Sequence, residues 1–195
     1  MDWETYKNKI KAALDIFEFD EAVLGVLKNS VRNNQKIFVA GNGGSAALAN
    51  HYVCDLSKGA NKDWENNLNR YQAICLSSNI GYLTAISNDS HYQDIFKQQL
   101  VNLASPNDIL ILISSSGNSP NIVKAAEYAK ERGLTVIGIS GFNGGRLKEV
   151  CHHSAHLNVL SYEVCEDIHG IFGHFLSTYL RGEEEANQKP LSEIL

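Results

Sequence analysis

Short apolar runs at 36–40, 71–76, 108–113, 134–140 and 155–160 alternate with segments of helical spacing, and this alternation limits the possible folds more than any other feature of the chain. The runs are continuous: Ile109-Leu110-Ile111-Leu112-Ile113 has no polar position. A strand that is apolar on both sides must be covered on both faces, which means a parallel sheet between two helical layers. Right-handed crossovers then predict an α/β, doubly wound, three-layer α-β-α sandwich with a mainly parallel five-stranded sheet. An N-terminal helical region precedes it, with apolar positions Ile10, Ala13, Leu14, Ile16 and Phe17. Further helices are expected over 46–56, from Pro120 (with Ser119 as N-cap) to about Arg132, and over 164–180. Two short helical stretches fill the segment up to Leu103.

The chain has 195 residues, enough for one domain, 1–195. Within it the reading gives a helical region 1–34, an α/β core 36–182 and a polar tail 183–195. Basic residues number 17 and acidic residues 22, a net charge of −5, which argues against nucleic acid as a partner. No apolar run is long enough to span a membrane, and Met1-Asp2-Trp3-Glu4 is too charged for a secretory signal, so a cytoplasmic location is expected. Cys54, Cys75, Cys151 and Cys165 form no C-x-x-C pair and read as reduced thiols.

In doubly wound folds ligands bind outside the carboxyl ends of the strands. Three such ends carry Gly/Ser/Asn loops here: Gly41-Asn42-Gly43-Gly44-Ser45, Ser114-Ser115-Ser116-Gly117-Asn118-Ser119 and Gly141-Phe142-Asn143-Gly144-Gly145. Hydroxyls and backbone N–H groups at helix N-termini suit an anion. Neither of the first two loops matches the nucleoside-triphosphatase or dinucleotide-binding fingerprints. Neither contains a basic residue. A phosphate held there by N–H and hydroxyl groups is a handle for positioning, not a group in transfer.

His51 and Asp55 stand four apart, on one face of the helix after the glycine loop. That spacing suits two ligands of one metal ion or an acid/base pair. The last helix adds Glu166, Asp167, His169 and His174. Glu166 and His174 are separated by about 12 Å along a helix axis, too far for one straight helix to set both on one ion. His152, His153 and His156 read as loop and strand-edge residues.

In this order and spacing these residues, with Ser87-Asn88-Asp89, resemble the SIS (sugar isomerase) domain, and specifically the phosphoheptose isomerase family, over nearly the whole chain. The resemblance implies a flavodoxin-like sandwich and a homotetramer with active sites shared between subunits. It implies conversion of sedoheptulose 7-phosphate to D-glycero-D-manno-heptose 7-phosphate, the first step of nucleotide-activated heptose synthesis for lipopolysaccharide or capsule. Substrate contacts then fall on Asn42, Gly43, Gly44, Ser45, Asp55, Asn88, Asp89, Ser114, Ser115, Ser116, Ser119 and Glu166. Metal ligands, with one Zn²⁺ per subunit, fall on His51, Asp55, Glu166 and His174. Asp55 takes the place of the base and His174 that of the acid, with Glu166 the second candidate base. The family usually carries Glu at position 55 and often Gln at 166. Two rival readings stay open: a SIS isomerase or regulator of another (amino)sugar phosphate, and a non-catalytic SIS protein that binds the replication initiator.

Overall fold

The computed structural model describes residues 1–182; the expected polar tail, 183–195, lies outside them. In chain order the elements are α1 (Trp3–Ile16), β1 (Glu18–Phe19), α2 (Ala22–Arg32), β2 (Lys36–Gly41), α3 (Gly44–Cys54), β3 (Gln72–Cys75), α4 (Ile80–Asp89), α5 (Lys97–Leu103), β4 (Ile109–Ser114), α6 (Pro120–Glu131), β5 (Thr135–Ser140), α7 (Gly145–Val150), β6 (His153–His156) and α8 (Tyr162–Arg181). The strands form one sheet in the order β1-β6-β5-β4-β2-β3. All neighbours are parallel except β1, which pairs antiparallel to β6. The five parallel strands have the flavodoxin-like order, and the direction of winding reverses between β2 and β4.

The continuous apolar runs fill two cores at once. Along β4, Ile109, Ile111 and Ile113 join Val23, Leu27, Phe172 and Leu176 on one face of the sheet. Leu110 and Leu112 join Ile122, Ala125, Val136 and Leu147 on the other. All five of these β4 residues are fully buried. Successive side chains point to opposite faces, so only a run without polar breaks can serve both layers.

The structure departs from the sequence expectation in several places. The sheet has six strands, because Glu18–Phe19 in the N-terminal helical region pairs with Ala155 and His156. Gly145, expected to close a loop, begins the short helix α7. The helix after the glycine loop passes at Asp55 into a π-helical turn, Asp55–Gly59, closed by Ala60 N–H donating to the Asp55 carbonyl at 2.7 Å. Helix α8 starts at Tyr162, two residues early, because the Ser161 hydroxyl accepts from Val164 N–H. Among the described residues no helix is long and apolar enough to cross a membrane, and all four cysteines are free.

Candidate active site

The loops after β2 and β4 flank the reversal point and together enclose a small cavity of about 130 Å³. Asn42 and Ser45 line it from one loop, Ser114, Ser115, Ser116 and Ser119 from the other, and Tyr162 and Glu166 from α8. No lysine or arginine is among its lining residues. Ser115 is buried and its Oγ has no hydrogen-bond partner. A hydroxyl desolvated in this way costs stability unless something else binds it. Ser119 caps α6 without a side-chain capping bond, and Pro120 follows at the first helical position. The serine loop is therefore a set of short donors at a helix N-terminus, which favours an anion.

Residues that the sequence did not single out hold these loops. Asn42 and Asn121 exchange amide hydrogen bonds: Asn42 Nδ2 donates to Asn121 Oδ1 at 2.9 Å and Asn121 Nδ2 to Asn42 Oδ1 at 2.8 Å. The Tyr92 hydroxyl adds a donor to Asn42 Oδ1 at 3.0 Å. The third glycine loop is a buttress. Gly141 N–H donates to the Ser115 carbonyl and Leu147 N–H to the Gly117 carbonyl, and Arg146 N–H donates to Asn118 Oδ1. Gly117 has φ +65°, and a Cβ there would overlap the Gly144 carbonyl, so this packing requires glycine.

The second half of the site lies between α3 and α8. His51 Nε2 and His174 Nε2 are 2.8 Å apart. Asp55 Oδ2 lies 3.4 Å from the first and 3.9 Å from the second. That oxygen is buried without a hydrogen-bond partner, while the side chains of His51 and His174 remain 48% and 64% exposed. The three side chains form a group able to hold a metal ion, their ligand atoms all within 4.8 Å of one another. The donor set fits: two imidazole nitrogens and one carboxylate oxygen leave a fourth position open, as in catalytic zinc sites.

Glu166, the fourth expected ligand, is not part of this group; its carboxylate lies against Gly44 in the serine cavity. Eight residues of helix separate it from His174, as the rise per residue implies. Gly43, the residue before α3, has φ +54°, and Gly44 opens the helix. Asn88 and Asp89 end α4 in exposed positions, with Asn88 Nδ2 donating to Asp89 Oδ1 at 2.9 Å, and neither lines the serine cavity. His169 is fully buried with both ring nitrogens unpartnered, and burial pushes its pKa down to about 4. His156 is held by the Ser140 hydroxyl at 3.1 Å, and burial likewise lowers its pKa.

The fold, with serine and glycine loops at the reversal point of its sheet, is that of a SIS domain, and the SIS domain family model matches residues 6–141. A phosphoheptose isomerase of Helicobacter hepaticus is 34% identical over 188 residues, 94% of each chain. The solved phosphoheptose isomerase of Francisella tularensis superposes with a TM-score of 0.80 at 25% identity, covering 92% of this chain and 96% of that one. That of Neisseria gonorrhoeae gives 0.75 at 26%, covering 83% and 84%. The chain belongs to the phosphoheptose isomerase family of SIS-domain proteins.

Proposed function

We propose that this chain is an aldose–ketose isomerase converting sedoheptulose 7-phosphate to D-glycero-D-manno-heptose 7-phosphate, the first step of nucleotide-activated heptose synthesis. The observation that carries this reading is the pairing of a hydroxyl pocket without lysine or arginine with a His–Asp–His group, α3 and α8 contributing residues to both. Ser45 precedes His51 by about 9 Å of helix, and Glu166 precedes His174 by about 12 Å. An extended seven-carbon chain anchored by its terminal phosphate fills that separation; a triose does not. Ser114, Ser115, Ser116 and Ser119, with Asn42, Gly43, Gly44 and Ser45, hold the phosphate end, and Asn88, Asp89 and Glu166 complete the substrate contacts.

The reaction moves two protons and leaves the phosphate untouched. Asp55 takes a proton from C1 while His174 protonates the C2 carbonyl oxygen, which gives a cis-enediol. His174 then receives the O1 proton as the C1 carbonyl forms, and Asp55 returns its proton to C2. Both groups finish as they began. His51, Asp55 and His174 would also be the residues to hold a Zn²⁺, one per subunit; the ion would supply a Lewis acid for the carbonyl and adjacent hydroxyl oxygens in place of the His174 proton. Glu166 stands apart from them within the chain; in an assembly with shared sites the equivalent side chain of a neighbouring copy is available as a fourth ligand.

A homotetramer in the cytoplasm is the form we propose. Support comes from an apolar stripe on the outer side of α8, where Ile171, Phe175 and Tyr179 recur every four residues and are exposed. Trp3, Leu14 and Ile16 on α1 are exposed as well. A patch of this kind on a small domain marks an interface, and here it runs beside His174. An isomerase assay across sugar phosphates, with and without chelator, tests the reading. Turnover is expected with sedoheptulose 7-phosphate. Its absence, together with capture of the replication initiator, favours the non-catalytic alternative, and preference for an amino-sugar phosphate favours the other.

A further inference from the structure

Helix α3, with the π-helical turn that extends it, meets α8 along a seam of small residues. Leu48 lies 3.5 Å from where a Cβ on Gly170 would sit, and Ser177 Oγ lies 2.8 Å from the same position on Gly59. Midway between them Tyr52 enters the notch left by Gly173, so closely that a Cβ on residue 173 would overlap its ring. The Tyr52 hydroxyl donates to the His169 carbonyl at 2.6 Å. In a regular helix that carbonyl also receives the N–H of residue 173. The ring is thus fixed across the seam by the notch and along it by the hydrogen bond, both within one turn of α8. Tyr52 directly follows His51, and Gly173 directly precedes His174.

We propose that Tyr52 is a positioning residue for the His51–Asp55–His174 group: seated against Gly173 and tied to His169, it sets the separation at which α3 presents His51 and Asp55 to His174. This rests on the isomerase reading above. Tyr52 is buried and lines neither the serine cavity nor any exposed surface, so it acts only through its neighbours. Burial keeps its phenol protonated, and the hydroxyl is a permanent donor. Without the hydroxyl the ring can slide in the notch; with alanine at 173 the two helices must part. Either change alters the imidazole separation while leaving the phosphate loops in place.

Tyr52→Phe and Gly173→Ala, with His174→Ala as reference, are compared with the parent protein in steady-state kinetics on sedoheptulose 7-phosphate and in the visible spectrum of the Co²⁺-loaded protein. Tyr52→Phe is expected to fold as the parent does and to lose about tenfold in kcat from the displaced groups, with KM within about twofold. Its Co²⁺ absorption band should shift and its Co²⁺ affinity should fall. Gly173→Ala should move both readouts further the same way; should it fail to fold, Tyr52→Phe carries the test alone. Parental kcat and Co²⁺ spectrum in Tyr52→Phe, while His174→Ala loses activity, overturns the positioning role and leaves the isomerase reading intact. The same holds if only thermal stability changes. Full activity in His174→Ala instead removes the isomerase reading on which the proposal rests.

Discussion

Asp55 and Glu166 are both carboxylates that can act as base, and their surroundings separate them. Asp55 Oδ2 stands 3.4 Å from His51 and 3.9 Å from His174, buried and without a hydrogen bond. Glu166 lies over Gly44 among the pocket hydroxyls. Asp55→Asn should therefore lower kcat by about 10²- to 10⁴-fold, the usual contribution of a positioned acid or base. Glu166→Gln should keep most of kcat and change KM instead; a loss in kcat as large as that of Asp55→Asn would transfer the role of base to Glu166. Ser115 offers a separate test. Its buried hydroxyl has no partner in the protein, so Ser115→Ala removes nothing the fold uses. KM should rise by about tenfold or more, from a lost hydrogen bond to a charged group, with kcat and melting temperature nearly unchanged. A drop in melting temperature with KM unaltered would make this serine structural.

Helix α8 joins the site to the core, and its buried His169 gives it a pH signature. The ring is neutral in the fold, with its pKa at about 4 against an ordinary 6.5. The unfolded chain binds a proton there at higher pH than the native protein does, so stability is complete above about pH 6.5 and falls as pH drops toward 4. Over that window the loss approaches about 3 kcal/mol, at about 1.4 kcal/mol for each pH unit crossed. His156, also lowered by burial, acts in the same direction. Urea denaturation at several pH values should show His169→Leu flattening this slope; an unchanged slope would assign it elsewhere. The elements themselves were unevenly legible. Strands β2 to β5 and the loops after β2 and β4 could be read because continuous apolar runs and Gly/Ser/Asn turns are local signals, whereas the run at 155–160 overlaps β6, His153–His156, only at Ala155 and His156. Strand β1 could not, since two residues become a strand only by pairing with β6. The π turn at Asp55 depends on one shifted hydrogen bond. Tyr52, Tyr92 and Asn121 carry no local signal for a related reason: their partners are distant in sequence, although Asn121 sits immediately behind the Ser119-Pro120 helix start.

At the scale of the whole molecule the exposed stripe on α8 and the exposed side chains on α1 are the surface on which the proposed assembly would form. Phe175 packs against Phe19, Phe172 and Tyr179 and remains exposed on its outer side. If the proposed tetramer forms through this stripe, Phe175→Asp should shift the protein to smaller species in light scattering and remove activity with it. A parent protein that is monomeric and fully active would contradict a shared site. The proposed role of His174, with Asp55 and His51, is to carry sugar-phosphate isomerisation. It is tested most directly by the initial rate of sedoheptulose 7-phosphate conversion by the parent and by His174→Ala under the same conditions. Turnover by the parent is expected, with a loss of about 10²- to 10⁴-fold in the variant. No conversion by the parent, or an equal rate in the variant, would contradict it.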